Sequence, residues 1–141
     1  MTTPRDPETP STSNPGTVRG YVLIAYGLFL IGMLTGVLLN LVGPWGLVLN
    51  LSAVAGVGVL LMAREASRGT VYESHSSWLV RTFVITLCGF LVAVVLAGYE
   101  TTNALASLLF LLVGLYYIFR VFKGFRVFMQ ARPMTSPRGW I

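Results

Sequence analysis

Residues 21–42 read YVLIAYGLFLIGMLTGVLLNLV, a run without one charged side chain. A helix of that length covers about 33 Å, enough to cross a bilayer hydrocarbon core of about 30 Å. The run has no polar face to turn towards water, so it reads as a membrane span. Gly43-Pro44 breaks it. Three more apolar runs follow, at about 45–63, 79–99 and 104–122. The last is the shortest, and it spans fully only if Arg120 and Lys123 snorkel towards the surface.

Composition agrees with four spans. The chain has 141 residues, of which 55% are hydrophobic and 11% charged. Soluble domains carry about 25% charged residues, and a water-facing surface cannot be covered with so few. The net charge of +5 would suit nucleic acid if it formed a soluble patch, but the basic residues flank the apolar runs. That placement points to anionic lipid headgroups and against nucleic acid. The single cysteine, Cys88, lies inside an apolar run, so no intramolecular disulfide framework is expected. The first apolar run is longer than a signal h-region and lacks an A-x-A-like site after it, so it is expected to stay as an anchor.

The charges also orient the spans. Arg5 and Arg19 precede the first; Arg64, Arg68 and Arg81 fall between the second and third; Arg120, Lys123, Arg126, Arg132 and Arg138 follow the fourth. All ten basic residues then lie on one side, and the opposite turns carry only Glu100. The positive-inside rule places that side, with both termini, in the cytoplasm. The turns at Gly43-Pro44 and 100–103 are short, so the expected fold class is an all-α membrane protein. Its four transmembrane helices form two antiparallel hairpins, with interfacial amphipathic segments on the cytoplasmic face. Trp45 and Tyr99 sit at the outer turns, where amphipathic rings favour the interface. Residues 1–18, rich in Pro, Thr and Ser, read as a disordered polar tail. Residues 19–132 make the membrane domain, and 133–141 a short C-terminal tail.

Within the spans, Gly32-x-x-x-Gly36, Ser52-x-x-x-Gly56 and Gly89-x-x-x-Ala93-x-x-x-Ala97 offer smooth faces for close helix packing. Asn40 and Asn50 lie where they could bond across the first hairpin. No Asp, Glu, Lys or His lies deep in a span, which argues against a proton-coupled pump.

The one stretch that gathers varied polar chemistry is TVYESHSSWLVRTF, residues 70–83, with the chain's only histidine. Thr70-x-x-Glu73 fits a capping box, the hydroxyl taking the Glu73 amide and the carboxylate returning to the Thr70 amide. The helical wheel then puts His75, Trp78, Leu79 and Thr82 on one face with Arg81 at its edge, and Glu73 on the other side. One histidine and one intramembrane cysteine cannot supply the three or four ligands zinc needs. Ser74 is adjacent to His75 in sequence and off its face, which argues against a nucleophile pair. No catalytic, metal or cofactor residue is assigned. After the fourth span, RVFKGFRVFM places Arg120, Lys123 and Arg126 along one stripe and Phe122, Phe125 and Met129 along another, as in a basic-aromatic interfacial helix.

These residues carry a resemblance. E-S-H-x-x-W-x-x-R-T-F (residues 73–83), Y-I-x-R-x-x-K-G (117–124) and R-P-M (132–134) resemble the pattern of a family of small uncharacterised bacterial inner-membrane proteins. That family is distantly similar in helix layout to the four-helix subunit of the chloroplast inner-envelope protein translocon. The resemblance implies that Glu73, His75, Trp78, Arg81, Arg120 and Lys123 form a signature on the cytoplasmic face.

The leading expectation is a non-enzymatic multi-pass protein of the inner membrane. It would act as an accessory or assembly factor, its basic-aromatic cytoplasmic rim meeting anionic headgroups, a membrane-protein partner or a second copy. One alternative is an oligomeric permeation or translocation element, for which Asn40, Asn50, Thr35 and Thr86 would line the path. The other is a lipid-modifying enzyme with His75 as base and Arg120 holding a phosphate.

Overall fold

A computed structural model describes residues 14–40 and 51–135, with only the backbone of residues 15 and 36–40. Every regular element in it is helical: α1 (Pro15–Asn40), α2 (Leu51–Met62), α3 (Arg64–Ser67), α4 (Val71–Ala97) and α5 (Asn103–Met129), with a 3-10 turn at Glu100–Thr102 before α5. Three helices are long and apolar enough to cross a membrane, within Gly16–Thr35, Val71–Ala97 and Glu100–Met129. The second expected span is represented by α2, whose 12 residues are its C-terminal part. Its beginning, the Gly43-Pro44 turn, Trp45 and Asn50 lie outside the described residues, as do the surroundings of Gly36 and the side chain of Asn40.

The first helix starts earlier than the boundary expected at residue 19. Pro15 takes the first helical position, where a missing amide N–H costs nothing. Asn14 accepts the Gly16 amide with its side-chain Oδ1 at 3.2 Å and the Thr17 amide with its carbonyl at 2.9 Å. That is an N-cap, and Asn-Pro is its sequence signature. Val18, assigned to the tail by composition, is buried.

Between α2 and α4 the chain turns through α3 and Gly69, whose φ of +73° is the left-handed region where a side chain is strained. The capping box expected at Thr70 does not form. The Thr70 hydroxyl donates to the Ser67 carbonyl at 2.6 Å, and the Glu73 carboxylate accepts the Gly69 amide at 2.8 Å. The left-handed Gly69 swings its amide towards the helix start, where Glu73 meets it. The Ser67 carbonyl at the end of α3 accepts both the Thr70 hydroxyl and the Thr70 amide, the latter at 3.1 Å.

Packing follows the small residues. On α1, Gly32 faces Ser52 and Ala53 of α2, while the Phe29 ring lies against Gly56. On α4, Gly89 admits Val113 of α5, and Ala93 is fully buried, whereas Ala97 is exposed. Contacts along α4 and α5 pair falling with rising residue numbers: Phe90 with Phe110, Thr82 and Trp78 with Arg120, His75 with Phe128. At the 3-10 turn the Thr102 hydroxyl donates to the Leu96 carbonyl at 2.6 Å, closing the end of α4.

All the long helices meet in one core, built of Val22, Ala25, Tyr26, Phe29, Leu60, Leu79, Tyr117, Val121 and Phe128. It sits towards the end carrying α3 and the start of α4. Elsewhere large apolar side chains face outward: Leu105, Leu108, Leu112, Leu115, Phe119 and Phe122 on α5, and Val84, Leu87, Leu91 and Val95 on α4. A water-soluble monomer rarely exposes a contiguous apolar face of this kind.

Candidate functional site: a buried polar network at one end of the bundle

The polar residues of 70–83 begin a helix rather than lie on a separate interfacial one. In the structure α4 runs unbroken from Val71 to Ala97, and α5 runs unbroken through RVFKGFRVFM to Met129. The expected interfacial segments are therefore the ends of long helices. His75, Trp78, Leu79 and Thr82 form the face that turns inward, and Glu73 is exposed on the other side.

Arg120 departs furthest from expectation. It does not snorkel: its relative exposure is 0%, like that of His75, and that of Trp78 is 1%. A stripe at i, i+3 and i+6 drifts by about 60° per step on an α-helix, so Arg120 and Arg126 do not share a face. The inward side of this stretch holds Arg120, Val121, Gly124 and Phe128; Lys123 is half-buried, and Arg126, Phe122 and Met129 are exposed.

Arg120 is held from three sides. Its Cζ lies 3.7 Å from the Trp78 ring centroid, a cation–π stack. Its Nε donates to Thr82 Oγ1 at 3.0 Å and an Nη donates to the Tyr116 hydroxyl at 2.8 Å. Thr82 can accept there because its own proton goes to the Trp78 carbonyl, 2.7 Å away. Trp78 returns its Nε1–H to the Arg120 carbonyl at 3.0 Å. Lys123 Nζ lies over the same ring at 5.7 Å. Each residue thus holds another, and α4 and α5 are fixed in register.

His75 links α4 to two other parts of the chain. Its Nε2 lies 2.8 Å from the Arg132 carbonyl, and its Nδ1 lies 3.0 Å from the Tyr26 hydroxyl of α1. A carbonyl only accepts, so Nε2 carries a proton; in the neutral ring Nδ1 then accepts from Tyr26. Beside it the Ser74 hydroxyl accepts the Met134 amide at 3.1 Å, and Met134 is buried. The segment after α5 is therefore strapped across the start of α4. Tyr117, from the next turn of α5, donates to the Phe29 carbonyl at 3.0 Å and ties α5 to α1.

The strap begins in a turn that favours glycine but holds alanine. Ala131 has φ +51°, with its amide bonded to the Phe128 carbonyl at 2.9 Å and the Arg132 amide to Val127 at 3.4 Å. That is a Schellman motif, usually built on glycine. Ala131→Gly is expected to stabilise the fold by about 0.5–1 kcal/mol, the left-handed penalty of alanine less the greater entropy of an unfolded glycine. Equilibrium unfolding in a mild detergent reads this directly. Tyr26→Phe should do the reverse. It leaves the buried Nδ1 without its donor and is expected to cost about 1–3 kcal/mol. A double-mutant cycle of Tyr26→Phe with His75→Ala should return a coupling of about 0.5 kcal/mol or more.

Of the six signature residues, His75, Trp78, Arg120 and Lys123 come together. Arg81 is half-buried on α4, and Glu73 is spent on the Gly69 amide. Tyr26, Tyr116 and the Arg132 carbonyl complete the network and are not among the residues expected from the sequence. A tyrosine inside an apolar run is a signal for a buried hydroxyl that must find a partner, and Tyr26 and Tyr117 both obey it. Among the described residues no three His, Cys, Asp or Glu side chains converge as metal ligands would. No family model, curated protein or solved structure matches the chain.

Proposed function

We propose that this chain is a multi-pass protein of the bacterial inner membrane, crossing it four times as two antiparallel hairpins with both termini in the cytoplasm. In this reading it is a non-enzymatic accessory or assembly protein. The observation that carries it is the use made of its polar chemistry. His75, Trp78 and Arg120 are turned inward and bonded to one another's elements, so they serve to fix α1, α4, α5 and the C-terminal strap at one level. A lipid-modifying enzyme would need His75 and Arg120 turned towards a substrate.

Lengths support the placement. α4 and α5 have 27 residues each, about 40 Å, and the hydrocarbon core takes about 30 Å. With Tyr99 and Glu100 at the outer interface, the polar network lies about twenty residues along each helix, at the cytoplasmic interface. The apolar sides then face lipid or a membrane-protein partner, and the rim around the network meets the cytoplasm.

Gentle extraction from the protein's own membrane, followed by affinity capture and native mass spectrometry, tests the accessory role. A stoichiometric membrane-protein partner is the expected result. A bare homo-oligomer that conducts solute in reconstituted vesicles would replace the accessory role with permeation.

A further inference from the structure

The side chains that give this end of the bundle its positive charge are not those of the buried network. Arg19 near the start of α1, Arg64 and Arg68 around α3, Arg126 near the end of α5 and Arg132 in the strap are all exposed. They share one end because Val22, Leu60, Leu79 and Phe128 share the core there, and because His75 holds the Arg132 carbonyl. Among the described residues Glu65 and Glu73 are the acidic side chains at this end, and the Glu73 carboxylate already accepts the Gly69 amide. Among the described residues, none of the five arginine side chains forms an ion pair.

Exposed apolar side chains sit directly beside these charges. Leu23 lies one turn on from Arg19 in α1, and Phe122 and Met129 lie within one turn of Arg126. An anionic phospholipid fits both features at once, its phosphate on the guanidinium groups and its acyl chains on the apolar sides. A nucleic acid would cover the charges and leave the apolar residues uncovered. The arginines also come from the ends of several helices and do not form one stripe.

We infer that Arg19, Arg64, Arg68, Arg126 and Arg132 form a collar that binds the phosphates of anionic phospholipids. This rests on the membrane placement proposed above. The contribution of each basic residue near an anionic surface adds to the next, so preference for anionic lipid falls steeply as residues are removed.

The test uses the full chain in an uncharged detergent with dioleoyl phosphatidylglycerol or dioleoyl phosphatidylcholine. Lipid adducts are counted by native mass spectrometry, and the thermal midpoint is followed alongside. The parent should retain phosphatidylglycerol in preference and be stabilised by it, more weakly at high salt. In the Arg64→Gln, Arg68→Gln, Arg126→Gln, Arg132→Gln variant that preference should drop by about tenfold or more, with helix content unchanged. Should the fourfold variant lose helix content, the four single variants give the same reading, each losing part of the preference. Equal retention of the two lipids by the parent, or an unchanged preference in the variants, overturns the collar. Tighter binding of a short oligonucleotide than of phosphatidylglycerol overturns it in favour of nucleic acid. A partner captured from the membrane by a chain with no lipid preference overturns the collar alone and leaves the accessory role standing.

Discussion

Trp78→Ala is expected to remove most of the stability of the folded chain. Truncating a fully buried aromatic side chain costs about 3–5 kcal/mol, through lost burial and the cavity left behind. Here the ring is also the surface on which the Arg120 guanidinium lies, 3.7 Å from its centroid, a contact worth up to about 2 kcal/mol when desolvated. The two terms overlap and do not simply add. A total near 4–6 kcal/mol compares with the 5–15 kcal/mol that holds an ordinary domain folded. Trp78→Phe separates the parts. It keeps an aromatic face for Arg120 but loses the Nε1–H that donates to the Arg120 carbonyl, and should cost about 1–2 kcal/mol beyond the smaller ring. Unfolding by graded denaturant in mild detergent measures both. A loss below 1 kcal/mol for Trp78→Ala would mean that the network does not hold α4 to α5.

Gly124→Ala is the second large effect, and it comes from adding one carbon. A Cβ built on Gly124 would lie 2.6 Å from the Tyr26 hydroxyl and 2.8 Å from Trp78 Nε1. Neither neighbour has room to retreat. Tyr26 and Trp78 are fully buried, and the atoms that a Cβ would crowd are the ones already bonded, the Tyr26 hydroxyl to His75 and the Trp78 Nε1–H to the Arg120 carbonyl. Overpacking of this kind costs about 1–3 kcal/mol, and loss of either bond brings it to the upper end. The disturbance should reach the strap through Tyr26 and His75. Hydrogen exchange at the Met134 amide, which donates to Ser74, is therefore expected to speed up. Gly114→Ala on the same helix is the control. Nothing lies within 4 Å of its Cβ position, so it should be neutral or stabilising by up to about 1 kcal/mol.

The helical class and the long apolar helices were legible because they follow from charge-free length alone. The inward face of α4 was legible too, since 3.6-residue periodicity places His75, Trp78, Leu79 and Thr82 together whatever they pack against. Arg120 was not. A charged residue near the end of an apolar run reads as snorkelling, and only tertiary neighbours can make burial preferable. Those neighbours, Trp78, Thr82 and Tyr116, are spread over two helices. The strap was hidden for a different reason. Its main bond uses the Arg132 carbonyl, a backbone group that no side-chain pattern marks. The capping box failed on a local competition, because the Thr70 amide goes to the Ser67 carbonyl at 3.1 Å and Glu73 accepts the Gly69 amide instead.

In the proposed topology the turn at 99–103 and the polar network lie on opposite sides of the membrane. In a Cys88→Ala background, Thr101→Cys and Arg68→Cys place one exposed thiol at each end of the bundle. A membrane-impermeant maleimide applied to intact cells should label position 101 and leave position 68 unlabelled until the membrane is opened. Labelling of position 68 from outside, or of neither position until lysis, would contradict the topology and the rim built on it.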